Sequence, residues 1–211
     1  WARLSFIDDP VCARCGAPFA HDYGADAECA ACIAEPPAFE RARAAIAYDE
    51  TAHALVTAFK YADRTELAPL LAGLMARAGA GLFGPDTVLA PAPLHRRRLF
   101  ARRYNQAGLL AAALAERTGL PVVHDALFRR RATTPQTRLS AESRRRNVAG
   151  AFAARPTRAA AVAGRPVVLI DDVLTTGATL SACARAMKRA GAARVDALAL
   201  ARAMRGGIDV L

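Results

Sequence analysis

The chain has 211 residues, 54% hydrophobic and 23% charged, a balance that excludes a disordered polyelectrolyte and allows one medium domain with a small appendage. No apolar stretch approaches the roughly 20 residues that span a bilayer, and no secretory signal pattern is visible, so the expectation is a cytoplasmic protein with no membrane span. The net charge of +10 points to phosphate-rich partners, and it stands although Lys60 and Lys188 are the only lysines among 29 basic residues: an arginine bias of genome composition exchanges one cation for another without creating charge.

The amino-terminal stretch holds Cys12 and Cys15 in "CARC" and Cys29 and Cys32 in "CAAC". Twin C-x2-C knuckles can present four thiolates tetrahedrally to Zn²⁺, forming a closed structural site with no position left for a substrate water. Disulfides and a redox pair are the alternatives; a reducing compartment argues against the first and the doubled knuckle against the second. His21 falls between the knuckles and reads as a loop residue. A segment this poor in apolar residues needs the metal to fold. "EPPAFE", residues 35–40, reads as a linker, so the expected division is a zinc ribbon over 1–38 and a second domain over 39–211.

After the linker the patterning predicts a strand near Arg43 to Tyr48, helices over Thr51–Tyr61 and Leu67–Ala78, and a short strand, "DTVLA", at 86–90. "PAPLHRRRLFARRYNQ" follows, a loop carrying Arg96, Arg97, Arg98, Arg102 and Arg103. The next helix has Ala107, Leu110, Ala111 and Leu114 on its apolar face, Gly119 as its cap and Pro121 as its stop. The plain reading is a solvated arginine cluster. Its place after a buried strand favours an anion site instead, because guanidinium forks match pyrophosphate oxygens. On that reading His95 and Arg96 bind the anion while Arg98 and Arg103 act on the leaving group. Lys60 joins them as a candidate catalytic cation, since a lysine kept in an arginine-rich chain marks a place where a compact ammonium matters. His53 and His124 have no partner in the sequence. Residues 129–150, rich in arginine and poor in apolar anchors, read as a lid.

The densest signal is "VVLIDDVLTTGAT", residues 167–179. Val167 to Ile170 form an unbroken apolar run, as in a parallel strand buried on both faces, and Asp171 and Asp172 stand at its carboxyl end. Leu180, Cys183, Ala184 and Met187 then recur at helical spacing, with Thr176 or Gly177 as the N-cap and Gly191 as the C-terminal cap; Cys183 reads as a small buried residue. A threonine-rich turn feeding a helix offers backbone N–H groups and hydroxyls to a phosphate. The aspartates suit the hydroxyls of a ribose or a divalent metal. A turn after a core strand is the plain alternative.

This stretch resembles the phosphoribosyl pyrophosphate (PRPP) motif of type I phosphoribosyltransferases. The resemblance implies that Asp171 and Asp172 hold ribose hydroxyls, and that Thr175, Thr176, Gly177, Ala178 and Thr179 wrap the 5′-phosphate of PRPP, which binds with Mg²⁺. "PAPLHRRRLFARRYNQA" and "PQTRLSAESRRRNVAGAF", the latter with Gln136, Leu139, Arg144, Asn147 and Phe152 in register, are similar to segments of the ComF family of competence-associated proteins. Arg103 stands where that family often has glycine. The fold implied is α/β, a type I phosphoribosyltransferase-like parallel sheet flanked by helices, preceded by a four-cysteine zinc ribbon. The partners implied are PRPP, single-stranded DNA and other competence proteins in natural transformation. Two further readings stay open: an active transferase that displaces pyrophosphate onto a nitrogenous acceptor, and a PRPP-sensing regulator without turnover.

Overall fold

The computed structural model describes residues 3–61, 64–94, 104–131, 143, 146, 148 and 150–204. The centre is a parallel sheet in the order β1 (Ala42–Ala47), β6 (Arg194–Arg202), β5 (Pro166–Leu174), β2 (Val88–Pro91). Parallel neighbours need crossovers, and the segments between these strands supply them: α2 (Glu50–Tyr61), α3 (Ala68–Ala78), α4 (Gln106–Thr118) and α6 (Ala178–Arg189). A short α1 (Ala30–Ala34) lies in the cysteine-rich segment, and α5 (Ala159–Val162) precedes β5. A separate antiparallel pair joins β3 (Leu127–Arg129) to β4 (Phe152–Ala154).

Strand periodicity divides the core in two. Val167 and Leu169 of β5 pack with Leu180, Cys183 and Met187 of α6 on one face. Val168 and Ile170 pack with Phe59, Leu71 and Leu110, from α2, α3 and α4, on the other. Cys183 is fully buried, as its place on the apolar helix face requires.

Four strands differ from the sequence reading. Strand β5 does not stop before the aspartates but runs through them to Leu174, because β6 continues alongside it and pairs Asp171 with Ala199, Val173 with Ala201 and Leu174 with Arg202. Strand β6 and the β3–β4 pair carry no strong local pattern. The free edge of β1 is also covered, since Ala47 N–H donates to Ser5 O at 2.8 Å and Ile7 N–H to Ala45 O at 3.1 Å.

Residues 38–41 are stitched to the sheet and α6. Ala38 N–H donates to Ser181 Oγ at 3.2 Å, Glu40 N–H to Val195 O at 2.8 Å and Arg41 N–H to Asp196 Oδ1 at 3.0 Å. Asp196 is fully buried, and its second oxygen meets Arg194 Nε at 3.0 Å and Arg41 Nη2 at 3.4 Å. Among the described residues no helix is long and apolar enough to cross a membrane.

Asp196→Ala leaves the Arg41 N–H and guanidinium without their acceptor and Arg194 without its counter-charge. The expected cost is about 1.5–3 kcal/mol, the range for hydrogen bonds to a charged group. Urea denaturation checks it, and a shift under about 0.5 kcal/mol would show that β6 is anchored without this carboxylate.

Candidate functional site

The carboxyl end of β5 turns through Thr175, Thr176 and Gly177 into α6. Gly177 is the N-cap residue, with φ +76°, a backbone that L side chains rarely adopt. Its α-carbon faces the buried ring of Phe39: an added Cβ would lie 3.4 Å from two ring carbons. This threonine loop, with Asp171 and Thr179, encloses a recess of about 30 Å³ at the amino end of α6, where the N–H groups of a helix's first turn favour an anion. Ala178 N–H already reaches Thr176 Oγ1 at 3.4 Å.

The two aspartates have different partners. Asp172 Oδ2 pairs with Lys60 Nζ at 2.9 Å, both side chains being less than one-fifth exposed. Asp171 Oδ1 accepts the Asp172 N–H at 2.9 Å. Burial, and then the charge of Asp172, push the Asp171 carboxyl up to about 7, against the opposing pull of that hydrogen bond, Lys60 and Arg129. A carboxyl held this high gives up its proton more readily once a cation arrives.

Lys60 lies in the last turn of α2, which is tied to the far end of the arginine loop: Tyr104 Oη donates to Phe59 O at 3.0 Å and Gln106 Nε2 to Lys60 O at 3.4 Å. The near end is held by Ala92 N–H on Ile170 O at 2.8 Å, and Asn105 Nδ2 donates to Ala92 O at 3.1 Å. Both ends of the loop are therefore fastened beside Lys60 and β5. His95, Arg96, Arg97, Arg98, Arg102 and Arg103 lie outside the described residues, as do Gln136, Leu139, Arg144, Asn147 and most of the expected lid.

The sulfurs of Cys12, Cys15, Cys29 and Cys32 all lie within 4.8 Å of one another. Cys15 Sγ and Cys29 Sγ are 3.7 Å apart; a tetrahedron with metal–sulfur bonds of about 2.3 Å has edges of about 3.8 Å. Cys12 Sγ accepts the N–H groups of Cys15 at 3.4 Å and Cys29 at 3.3 Å. Hydrogen bonds from Cys15 and Cys32 hold the Cys12 thiol far below its usual range, and the same contact with Cys12 pushes Cys15 up to about 11 and Cys32 higher still. Four thiolates cannot share this space without a cation, so the cluster fits one metal ion. All five cysteines are free thiols. His21 is exposed and stands near the Tyr23 ring, outside this set.

Arg202 and Phe39 escaped the sequence reading. Arg202 ends β6 and donates from Nη1 to Cys15 O at 2.6 Å and from Nη2 to Cys15 Sγ at 3.2 Å. No local pattern marks it among so many arginines. Phe39 had a signal, an aromatic residue inside an otherwise polar and proline-rich linker.

The phosphoribosyl transferase domain model matches residues 106–210. A DNA utilization protein, YhgH, from Escherichia coli O157:H7 is 34% identical over 96% of this chain and 88% of its own length. Competence protein F of Haemophilus influenzae is 30% identical over 92% of this chain and 85% of its own. The chain belongs to the ComF family. Both likenesses run over more than nine-tenths of the chain, whereas an adenine phosphoribosyltransferase of Mycobacterium marinum, 39% identical, matches over 42% of this chain and 46% of its own.

In this ComF-family chain Asp171 titrates near 7 when folded and near its ordinary 3.8 when unfolded. Between those values the unfolded carboxyl has lost its proton while the folded one keeps it, so Asp171 lowers stability as pH rises through that window. Asp171→Asn removes the effect. Its melting temperature relative to the parent should rise between pH 4 and pH 8 by at least 3 °C, the equivalent of about 1 kcal/mol for a chain of this size. Parallel thermal melts check this; a constant difference would place the carboxyl in an ordinary solvated setting.

Proposed function

We propose that this chain binds PRPP with Mg²⁺ at the Asp171–Thr179 loop, holds a structural Zn²⁺ on its four cysteines, and serves DNA handling during natural transformation in the cytoplasm. The arrangement of the loop carries the reading: a helix amino terminus with threonine hydroxyls and a positive-φ glycine stands directly beside two carboxylates, one of them neutralised by Lys60. A phosphate suits the first group, and ribose hydroxyls or a hard divalent cation suit the second. When Mg²⁺ accompanies PRPP it supplies charge neutralisation at the diphosphate, while Asp171 and Asp172 orient the ribose. Lys60 holds Asp172 in place through their ion pair and stands ready for a leaving group; His95, Arg96, Arg98 and Arg103 join it in this reading on sequence alone. The sulfur donors and their spacing favour Zn²⁺ over a hard cation.

The DNA part rests on the names of the relatives, a DNA utilization protein and a competence protein, and on charge. Beyond the net charge of +10, two cations flank a half-buried ring at the β3–β4 pair: Arg130 and Arg155 lie 6.0 and 5.5 Å from the Phe128 centroid. Such surfaces follow a single strand by backbone charge and stacking.

Asp171→Asn/Asp172→Asn should weaken calorimetric PRPP binding in Mg²⁺ at least tenfold without unfolding the chain; unchanged affinity would reduce the loop to a turn. Metal analysis of protein purified without chelator should find one zinc per chain, and stoichiometric iron or none would sink that assignment. Single-strand affinity should fall with salt at a slope of roughly −0.7 per neutralised phosphate. PRPP with Mg²⁺ should compete with the strand, while pyrophosphate release on adding a nitrogenous acceptor would return the chain to the transferases.

A further inference from the structure

Two charged residues are buried among the described residues, Asp196 and Arg202. Asp196 is answered by Arg41 and Arg194, whereas no carboxylate among the described residues pairs with Arg202, which is only 7% exposed. A buried guanidinium without an opposing charge is strongly unfavourable. Both of its acceptors belong to one residue, since Nη1 donates to Cys15 O at 2.6 Å and Nη2 to Cys15 Sγ at 3.2 Å. The negative charge that answers it is then the sulfur cluster's own.

Docking of the first knuckle does not account for this contact. Three successive carbonyls hold the knuckle to the sheet: Ala13 O accepts from Arg43 Nη1 at 3.1 Å, Arg14 O from Ala42 N–H at 2.7 Å, and Cys15 O from Arg202 Nη1. A neutral donor would serve that last carbonyl as well. It could not offset charge, and a divalent ion held by four thiolates leaves two of their negative charges uncompensated, here with Cys12, Cys15 and Cys32 all buried. Cys12 Sγ receives only the N–H dipoles of Cys15 and Cys29. Among the described residues Arg202 is the one cation in hydrogen-bond contact with a sulfur of the cluster. Its stem is fixed beforehand: Arg202 O accepts Tyr48 N–H at 2.7 Å, and the residue pairs in register with Ala47 of β1 and Leu174 of β5, so little freedom is lost in placing the head. We propose that Arg202 is the counter-charge of the four-cysteine metal site, a positioning residue that strengthens metal retention by offsetting the excess negative charge of the thiolates through Cys15 Sγ. The proposal rests on the metal reading of those cysteines. It gives the sheet, and not the ribbon alone, a share in holding the metal.

Two polar variants of the full, zinc-loaded chain separate charge from shape. Arg202→Gln keeps a donor and removes the charge, and Arg202→Lys keeps the charge. Arg202 and Cys15 both line the large cavity, about 690 Å³, between the cysteine cluster and the threonine loop, so a shorter side chain disturbs little packing. Transfer of zinc to a colorimetric chelator should be at least tenfold faster from Arg202→Gln than from the parent, the low end of what loss of a group supporting a metal ligand costs, and within threefold of the parent for Arg202→Lys. In the cobalt-substituted chain the sulfur-to-metal charge-transfer band of Arg202→Gln should move to longer wavelength, because a thiolate relieved of its cationic donor gives up electron density more easily. Arg43→Gln, which loosens the same knuckle at Ala13 O without touching a sulfur, should leave the band in place. Zinc loss from Arg202→Gln less than threefold faster than from the parent overturns the proposal. Equal acceleration, or equal failure to load zinc, in the Gln and Lys variants makes Arg202 a packing residue and also overturns it, as does a band that moves as far in Arg43→Gln. A parent chain that takes up no zinc removes the metal reading and this proposal together, whereas a parent that holds zinc no more firmly than Arg202→Gln removes the proposal alone.

Discussion

Two neighbouring carboxylates can stand inside a buried strand because successive side chains of a strand leave on opposite faces. Asp172 goes to the face of Val168 and Ile170, where α2 brings Lys60 to 2.9 Å. Asp171 goes to the face of Val167 and Leu169, toward Cys183 of α6, where burial pushes its carboxyl up to about 7. One paired charge and one suppressed charge make the arrangement tolerable. The same division leaves a carboxyl that gains from any cation or hydroxyl donor arriving beside it, which turns a local electrostatic conflict into a site.

The threonine loop is shaped from behind as much as from within. The Phe39 ring packs on Gly177, and the backbone on either side of Phe39 is bonded to Ser181 and to β6. Arg202, paired in register with Leu174 at the start of the loop, reaches the carbonyl and sulfur of Cys15. A third tie keeps the ribbon close to the sheet: Gly16 has φ +67°, and an added Cβ would stand 2.5 Å from Ala42 O. The cysteine cluster and the loop are thus two ends of one packed unit, and the large cavity is the space that this packing leaves between them.

Much of this was legible from local pattern. The unbroken Val167–Ile170 run marks a strand buried on both faces, the 3.6-residue spacing from Leu180 to Met187 marks its helix, and both fold as read. Strand β6 was not legible, because "RVDALALAR" alternates alanine with leucine around Asp196 and two arginines. Alanine favours helix in isolation; burial between β1 and β5, together with the Arg41 and Arg194 contacts to Asp196, selects strand. The continuation of β5 to Leu174 follows from the same cause, since its last residues extend only where β6 supplies a partner.

The sequence by itself determined the chemistry on offer: four thiols at knuckle spacing, two carboxylates after an apolar run, and a threonine–glycine turn that can open a helix. Each of these is written within a few residues, where period and backbone preference act. Tertiary structure alone decided which carboxylate meets Lys60, that Arg202 touches a clustered cysteine 187 residues away, and that a ribbon wall faces the threonine loop across a cavity. Those outcomes depend on the order of strands in the sheet, and strand order is set by the burial of whole faces, which no local run of residues encodes.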